Sequence, residues 1–181
     1  MLSLGKEIQL FQNIHGDYLV FARSRGFKGL FTTLFMFSGF APVFLLRLQQ
    51  YFFCRRWVLL SYRVHRYNLR NFGLDALPGC DIEKGLKIEH PYGVVIGAGV
   101  HIGENCEIHP GVLLGSRIAA NQKATREDYP KIGNNVVIGA KSSVLGSVSI
   151  GDNSYIGAHT LVINNFPSNS LILGVPGKSV S

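Results

Sequence analysis

The chain has 181 residues, enough for one compact domain with an appendage, and its apolar share of 46% is ample for a buried core. Three cysteines (Cys54, Cys80, Cys106) show no metal-type spacing and leave an odd count, which argues against a disulfide framework. The net charge of +7 is lopsided: residues 1–72 hold ten Lys/Arg against Glu7 and Asp17, whereas residues 73–181 hold eight against nine acids.

A basic front segment calls for an acidic partner, such as an anionic membrane surface or a phosphate-bearing substrate. The N-terminus lacks the charged start, apolar run and small-residue cleavage site of a secretory signal. The expected location is the cytoplasm, at the inner face of the cell membrane if the front segment meets lipid.

Residues 1–72 read as an N-terminal helical segment. Asp17 is placed to cap a short helix, and Lys28 to Phe37 is apolar without strand alternation. Ser38-Gly39-Phe40-Ala41-Pro42 marks a break, with Pro42 suited to the first turn of a new helix. Beyond it Val43, Leu46, Phe53, Trp57, Leu60, Val64 and Tyr67 recur at helical spacing and define one apolar face. Arg56, Arg63 and Arg70 lie seven apart on another face, with Arg66 beside them, a solvated stripe or a contact for lipid headgroups. Gly29 to Leu46 carries no charge, but Gly39 and Pro42 interrupt it and its length is marginal for spanning. Peripheral attachment fits better. The aromatics are spaced as helix core rather than as base-stacking platforms, so no nucleic-acid partner is expected.

From about Asp75 to Phe166 a different period takes over. Ile82, Ile88, Ile96, Ile102, Ile108, Leu114, Ile132, Ile138, Val144, Ile150, Ile156 and Val162 fall on a six-residue grid. Four residues on from most of them sits a small or β-branched side chain: Val100, Cys106, Val112, Val136, Ser142, Val148, Ser154, Thr160. Six matches neither the 3.6 of a helix nor the two of an isolated strand. It matches a coil with three flat faces, one hexapeptide per face, the grid residue pointing inward. Residues 73–181 are therefore expected to form a mainly β domain, a left-handed parallel β-helix, with a C-terminal tail.

The grid breaks twice. Ile88 and Ile96 are eight apart, the extra residues lying in Glu89-His90-Pro91-Tyr92-Gly93, and Gly115 through Lys131 is a polar loop thrown out from a corner. Departures from a rigid repeat are where chemistry tends to sit. His90, in the first break beside Glu89, is the leading candidate: an imidazole near neutral pKa takes a proton from a hydroxyl as that oxygen attacks a carbonyl carbon. Asp75, fifteen residues upstream, is close to one coil away and could fix its tautomer from an adjacent rung. His101, His109 and His159 lie on regular repeats and read as structural, and His15 and His65 have no evident partner in the sequence. No nucleophile elbow, metal-ligand spacing or phosphate-cradling Gly-Lys-Ser/Thr loop occurs. That leaves one base acting on two bound reactants, without a metal.

Gly73-Leu74-Asp75-Ala76-Leu77-Pro78-Gly79-Cys80-Asp81-Ile82 through Glu89-His90-Pro91-Tyr92-Gly93-Val94-Val95-Ile96-Gly97 resembles the start of the β-helix in serine O-acetyltransferases. The likeness runs on through Pro130-Lys131-Ile132-Gly133, Ile138-Gly139-Ala140 and Gly174-Val175-Pro176. In overall size and front segment the chain is more similar to the short acetyltransferases of capsule and exopolysaccharide clusters, within the same hexapeptide-repeat acyltransferase superfamily. The resemblance implies acetyl-CoA as donor, direct transfer in a ternary complex, and a homotrimer or dimer of trimers with sites between neighbouring β-helices. It implies His90 as general base, Asp75 as its orienting acid and Glu89 as an acceptor contact. Ala140 and Ala158 match positions along the pantetheine arm, Gly115 and Ser116 the thioester end, and Gly174 and Lys178 the adenine and phosphate end. Backbone amides near Gly115 would then stabilise the oxyanion.

The serine enzymes carry Arg-His-Pro where this chain has Asp128-Tyr129-Pro130, and an aspartate there should repel a substrate carboxylate. The favoured expectation is therefore O-acetylation of a saccharide hydroxyl in polysaccharide assembly, with Tyr92, Tyr129 and Glu89 contacting the sugar. Serine O-acetyltransferase and a non-enzymatic β-helix scaffold are the alternatives.

Overall fold

The computed structural model describes residues 4–21, 39–118 and 122–180. All twelve grid residues are buried, at 3% exposure or less. The second series, from Val100 to Thr160, is buried with them. Each hexapeptide yields a strand of only two or three residues before the chain turns, so backbone hydrogen bonds run to the coils above and below. His101 N–H donates to Pro130 O at 3.1 Å, and Lys131 N–H to Val148 O at 2.8 Å.

Three parallel sheets result, and together they wall a left-handed β-helical prism. Sheet A stacks β1 (Leu74–Ala76), β4 (Val94–Ile96), β7 (Leu113–Gly115), β10 (Ser143–Leu145) and β13 (Leu161–Val162). Sheet B stacks β2 (Asp81–Ile82), β5 (His101–Ile102), β8 (Lys131–Ile132) and β11 (Ser149–Ile150). Sheet C stacks β3 (Lys87–Ile88), β6 (Glu107–Ile108), β9 (Val137–Ile138), β12 (Tyr155–Ile156) and β14 (Leu171–Leu173). Successive coils in such sheets are spaced about 4.8 Å apart. Along the B–C edge Asn105, Asn135, Asn153 and Asn169 stack with φ between 55° and 63°, a left-handed backbone that asparagine tolerates better than most residues. The coil extends past Phe166, which bridges Ile150: β14 pairs with β12 and buries Ile172. The tail then reverses, and β15 (Lys178–Val180) lies antiparallel to β14.

Among the described residues, three helices precede the prism: α1 (Leu4–Phe21), α2 (Phe40–Cys54) and α3 (Val58–Phe72). Pro42 sits in the first turn of α2, as its spacing indicates. The apolar run Lys28–Phe37 lies outside the described residues. Two expectations are corrected. Asp17 is no cap; it lies within α1, and its carboxylate meets Arg47 of α2 at 2.7 and 3.1 Å while accepting from Leu86 N–H at 2.9 Å. Arg47, fully buried, also donates to the carbonyls of Ile82 and Glu83, so one guanidinium joins both helices to the first coil.

The single apolar face running from Val43 to Tyr67 is not formed either. The chain breaks at Arg56 (φ 62°) between α2 and α3, and of that face only Val43 and Leu46 are buried. In α3 the inward residues are polar: Ser61, His65 and Asn68. Trp57, Val58, Leu59, Leu60, Tyr62 and Tyr67 are exposed beside the exposed Arg56, Arg63, Arg66 and Arg70. The buried Ser61 and Asn68 find acceptors on the facing helix. Ser61 Oγ donates to Gln49 O at 2.9 Å, and Asn68 Nδ2 to Pro42 O at 2.9 Å. No described helix is long and apolar enough to cross a membrane.

Candidate active site

The eight-residue break adds a second left-handed residue to the C–A edge of the first coil. At later coils that corner turns through one such residue: Gly111, Lys141 and His159. At the first it holds both His90 (φ 52°) and Gly93 (φ 76°), and the extra turn places His90 on the surface. A non-glycine residue held there costs on the order of 1 kcal/mol, so the neighbouring packing must hold it. Tyr92 does part of this: its ring lies against Gly73, and its carbonyl accepts from Gly111 N–H at 3.1 Å. Tyr92 is nonetheless 79% exposed.

Beside His90, Lys87 Nζ contacts Glu89 at 2.6 Å and Glu107 at 3.2 Å, and His109 Nε2 lies 3.1 Å from Glu107. The hydrogen bond from Lys87 holds the Glu89 carboxyl below the usual carboxylate range, and Glu89 in turn raises the Lys87 ammonium. One ligand atom each from Glu89, Glu107 and His109 lies within 4.8 Å of the others, but the Lys87 ammonium already lies against both carboxylates. Lys87, Glu107 and His109 were not singled out from the sequence. The signal was there, since Lys87 and Glu107, like Glu89 and His109, are one enlarged coil apart.

Asp75 projects from β1 in the same coil as His90 rather than from an adjacent rung. Its Oδ1 lies 2.8 Å from His65 Nε2, and among the described residues no hydrogen bond joins it to His90. Asp75 and His90 are thus not hydrogen-bonded to each other in this structure, and His65, which has no evident partner in the sequence, has one.

The loop after β7 ends in a short 3-10 turn, Arg126–Asp128. There Asp128 Oδ2 accepts from both the N–H and the hydroxyl of Thr125 at 2.7 Å, which lowers its carboxyl below the ordinary range. Tyr129 is half-buried against Gly97 and Gly99, where an added Cβ would come within 2.5 and 2.2 Å of its ring. Arg126 reaches across to Gly79 O at 3.2 Å. A hollow of about 420 Å³ opens beside this loop, lined by Arg117, Asp128, Leu145, Ser147 and Ile163.

The candidates thus fall on two edges of one prism. Glu89, His90, Tyr92, Ala140, Ala158 and Gly174 follow the C–A edge coil by coil. Gly115, Ser116 and Tyr129 lie on the A–B edge, and Lys178 is on the reversed strand β15. Cys80 and Cys106 are buried, their thiols pushed up to about 12 and about 11, so neither is a reactive thiolate.

Residues 129–164 match the family model of the bacterial transferase hexapeptide, and residues 93–120 that of the hexapeptide repeat of succinyl-transferase. A serine acetyltransferase of Synechococcus elongatus is 29% identical over 172 residues, covering 94% of this chain and 69% of that protein. The crystal structure of the Neisseria gonorrhoeae serine acetyltransferase superposes with a TM-score of 0.85 at 30% identity, over 98% of this chain and 67% of the other. The same enzyme in complex with serine gives 0.84 at 29% identity, over 97% and 71%. The chain belongs to the hexapeptide-repeat acyltransferases. Within that class it is an O-acetyltransferase that takes its acetyl group from acetyl-CoA.

These findings overturn the polysaccharide reading. The relatives and solved structures named above are serine acetyltransferases, nothing places capsule or exopolysaccharide enzymes nearer, and the superpositions cover nearly the whole chain. Asp128 keeps its charge, but its Oδ2 is turned back to cap its own loop, held by two donors of Thr125.

Proposed function

We propose that this enzyme transfers the acetyl group of acetyl-CoA to the hydroxyl of L-serine, giving O-acetylserine and CoA. The observation that carries the reading is the match to serine acetyltransferases along nearly the whole chain, one of them solved with serine bound. In the proposed step His90 removes the hydroxyl proton as the oxygen attacks the thioester carbon, and returns it to the sulfur as the C–S bond breaks and CoA leaves as the thiol. Holding both reactants beside that imidazole supplies much of the remaining acceleration. Glu89 stands next to His90 as the contact for the acceptor's amine. The C–A edge offers the coenzyme a line of small residues, Ala140, Ala158 and Gly174, rising one coil at a time toward β15, where the Lys178 ammonium suits its phosphates. Backbone amides near Gly115 are the proposed oxyanion contact.

A site using both edges needs two chains side by side, the C–A edge of one facing the A–B edge of the next. The natural closure of such a heterologous contact is a ring, and we propose a trimer. Release of CoA thiol, followed with L-serine and with a panel of sugars, tests the acceptor: turnover is expected with serine alone. His90→Ala should lower kcat about 10²–10⁴-fold without changing the assembly. Turnover with sugars and none with serine would refute the reading.

A further inference from the structure

His65 is a buried imidazole that no step above uses. It belongs to the inward polar row of α3, and its Nε2 meets Asp75 Oδ1 at 2.8 Å. Its other nitrogen, Nδ1, is buried and has no hydrogen-bond partner among the described residues. Tyr62 packs edge-on against the ring, with centroids 6.2 Å apart. The Asp75 side chain is 35% exposed, and its second oxygen carries no hydrogen bond among the described residues.

We propose that His65 is a positioning residue for Asp75. A doubly protonated ring would bury an N–H with no acceptor, which is unfavourable, so the ring is neutral with its proton on Nε2. That N–H fixes Oδ1 and leaves Oδ2 open toward solvent as an acceptor for a group of the acetyl-transfer site. The arrangement has the logic of a base steered by a third group, displaced one residue outward: α3 holds the carboxylate, and the carboxylate is offered to the site. It differs from the neighbouring helix-to-strand bond, Gln49 Nε2 to Ala76 O at 2.8 Å, which ends on a backbone carbonyl and presents nothing outward.

The inference rests on the acetyl-transfer reading, and a double-mutant cycle with a spectroscopic control tests it. His65→Leu should lower kcat about tenfold with little change in either KM, and His65→Gln, whose amide can still donate to Oδ1, should recover most of that loss. In the Asp75→Asn background, His65→Leu should cost no further turnover. An equal loss in both backgrounds would mean that the ring merely packs, and full activity of Asp75→Asn would remove the carboxylate from the site; either overturns the proposal. Nitrogen shifts of His65 in the wild-type protein supply a readout independent of the acceptor and of the variants' folding: a neutral ring protonated on Nε2 is expected, and a charged ring or an Nδ1–H tautomer overturns the proposal. Wild-type turnover with L-serine, measured alongside, tests the acceptor separately.

Discussion

Charge at a position says little until its hydrogen bonds are known. Asp128 occupies a place where a substrate carboxylate would be repelled, yet both donors of Thr125 hold its oxygen inside its own turn. Glu89 shows the opposite case, an acid whose state is set by a neighbour two residues away. Lys87 holds its carboxyl low, so the interaction stabilises the fold above the unfolded carboxyl pKa and is lost as pH falls through the folded value. Lys87→Met should therefore move the Glu89 titration upward, toward the ordinary carboxylate range, followed by NMR on the side-chain carbonyl. The gain in stability from that pair is small, because Glu89 is 42% exposed and screened by water.

At the level of elements, the join between helices and prism depends on Arg47 and Asp17, both buried. Asp17→Asn leaves a buried guanidinium without its counter-charge and should destabilise the protein by about 3–5 kcal/mol, read from thermal or denaturant unfolding. Nothing in the sequence announced this contact, since its partners are 30 residues apart on separate helices. The β-domain was legible for the opposite reason: twelve positions in phase repeat one local rule, and every one of them is buried. His90 was legible as a fault in that rule. The face of α3 was not, because periodicity marks apolar residues as inward, whereas here Ser61 and Asn68 turn in to meet the carbonyls of Gln49 and Pro42. The contact of His65 was not legible either, as its partner belongs to the next element.

For the molecule as a whole, the division of candidates between two edges makes association part of the proposed chemistry. Light scattering should give a mass of about 60 kDa, three copies of the 19.9 kDa chain, or twice that for paired trimers. A fully active monomer would place the whole site on one prism and contradict the two-edge arrangement. A stack of parallel coils has no intrinsic stopping point, and another copy set end to end would be its simplest continuation. The reversed strand β15 forbids it on sheet C: its polarity is wrong for a parallel neighbour, and Lys178 adds charge to the rim. With strand addition blocked there, the flanks remain open for the side-by-side contact that a trimer needs.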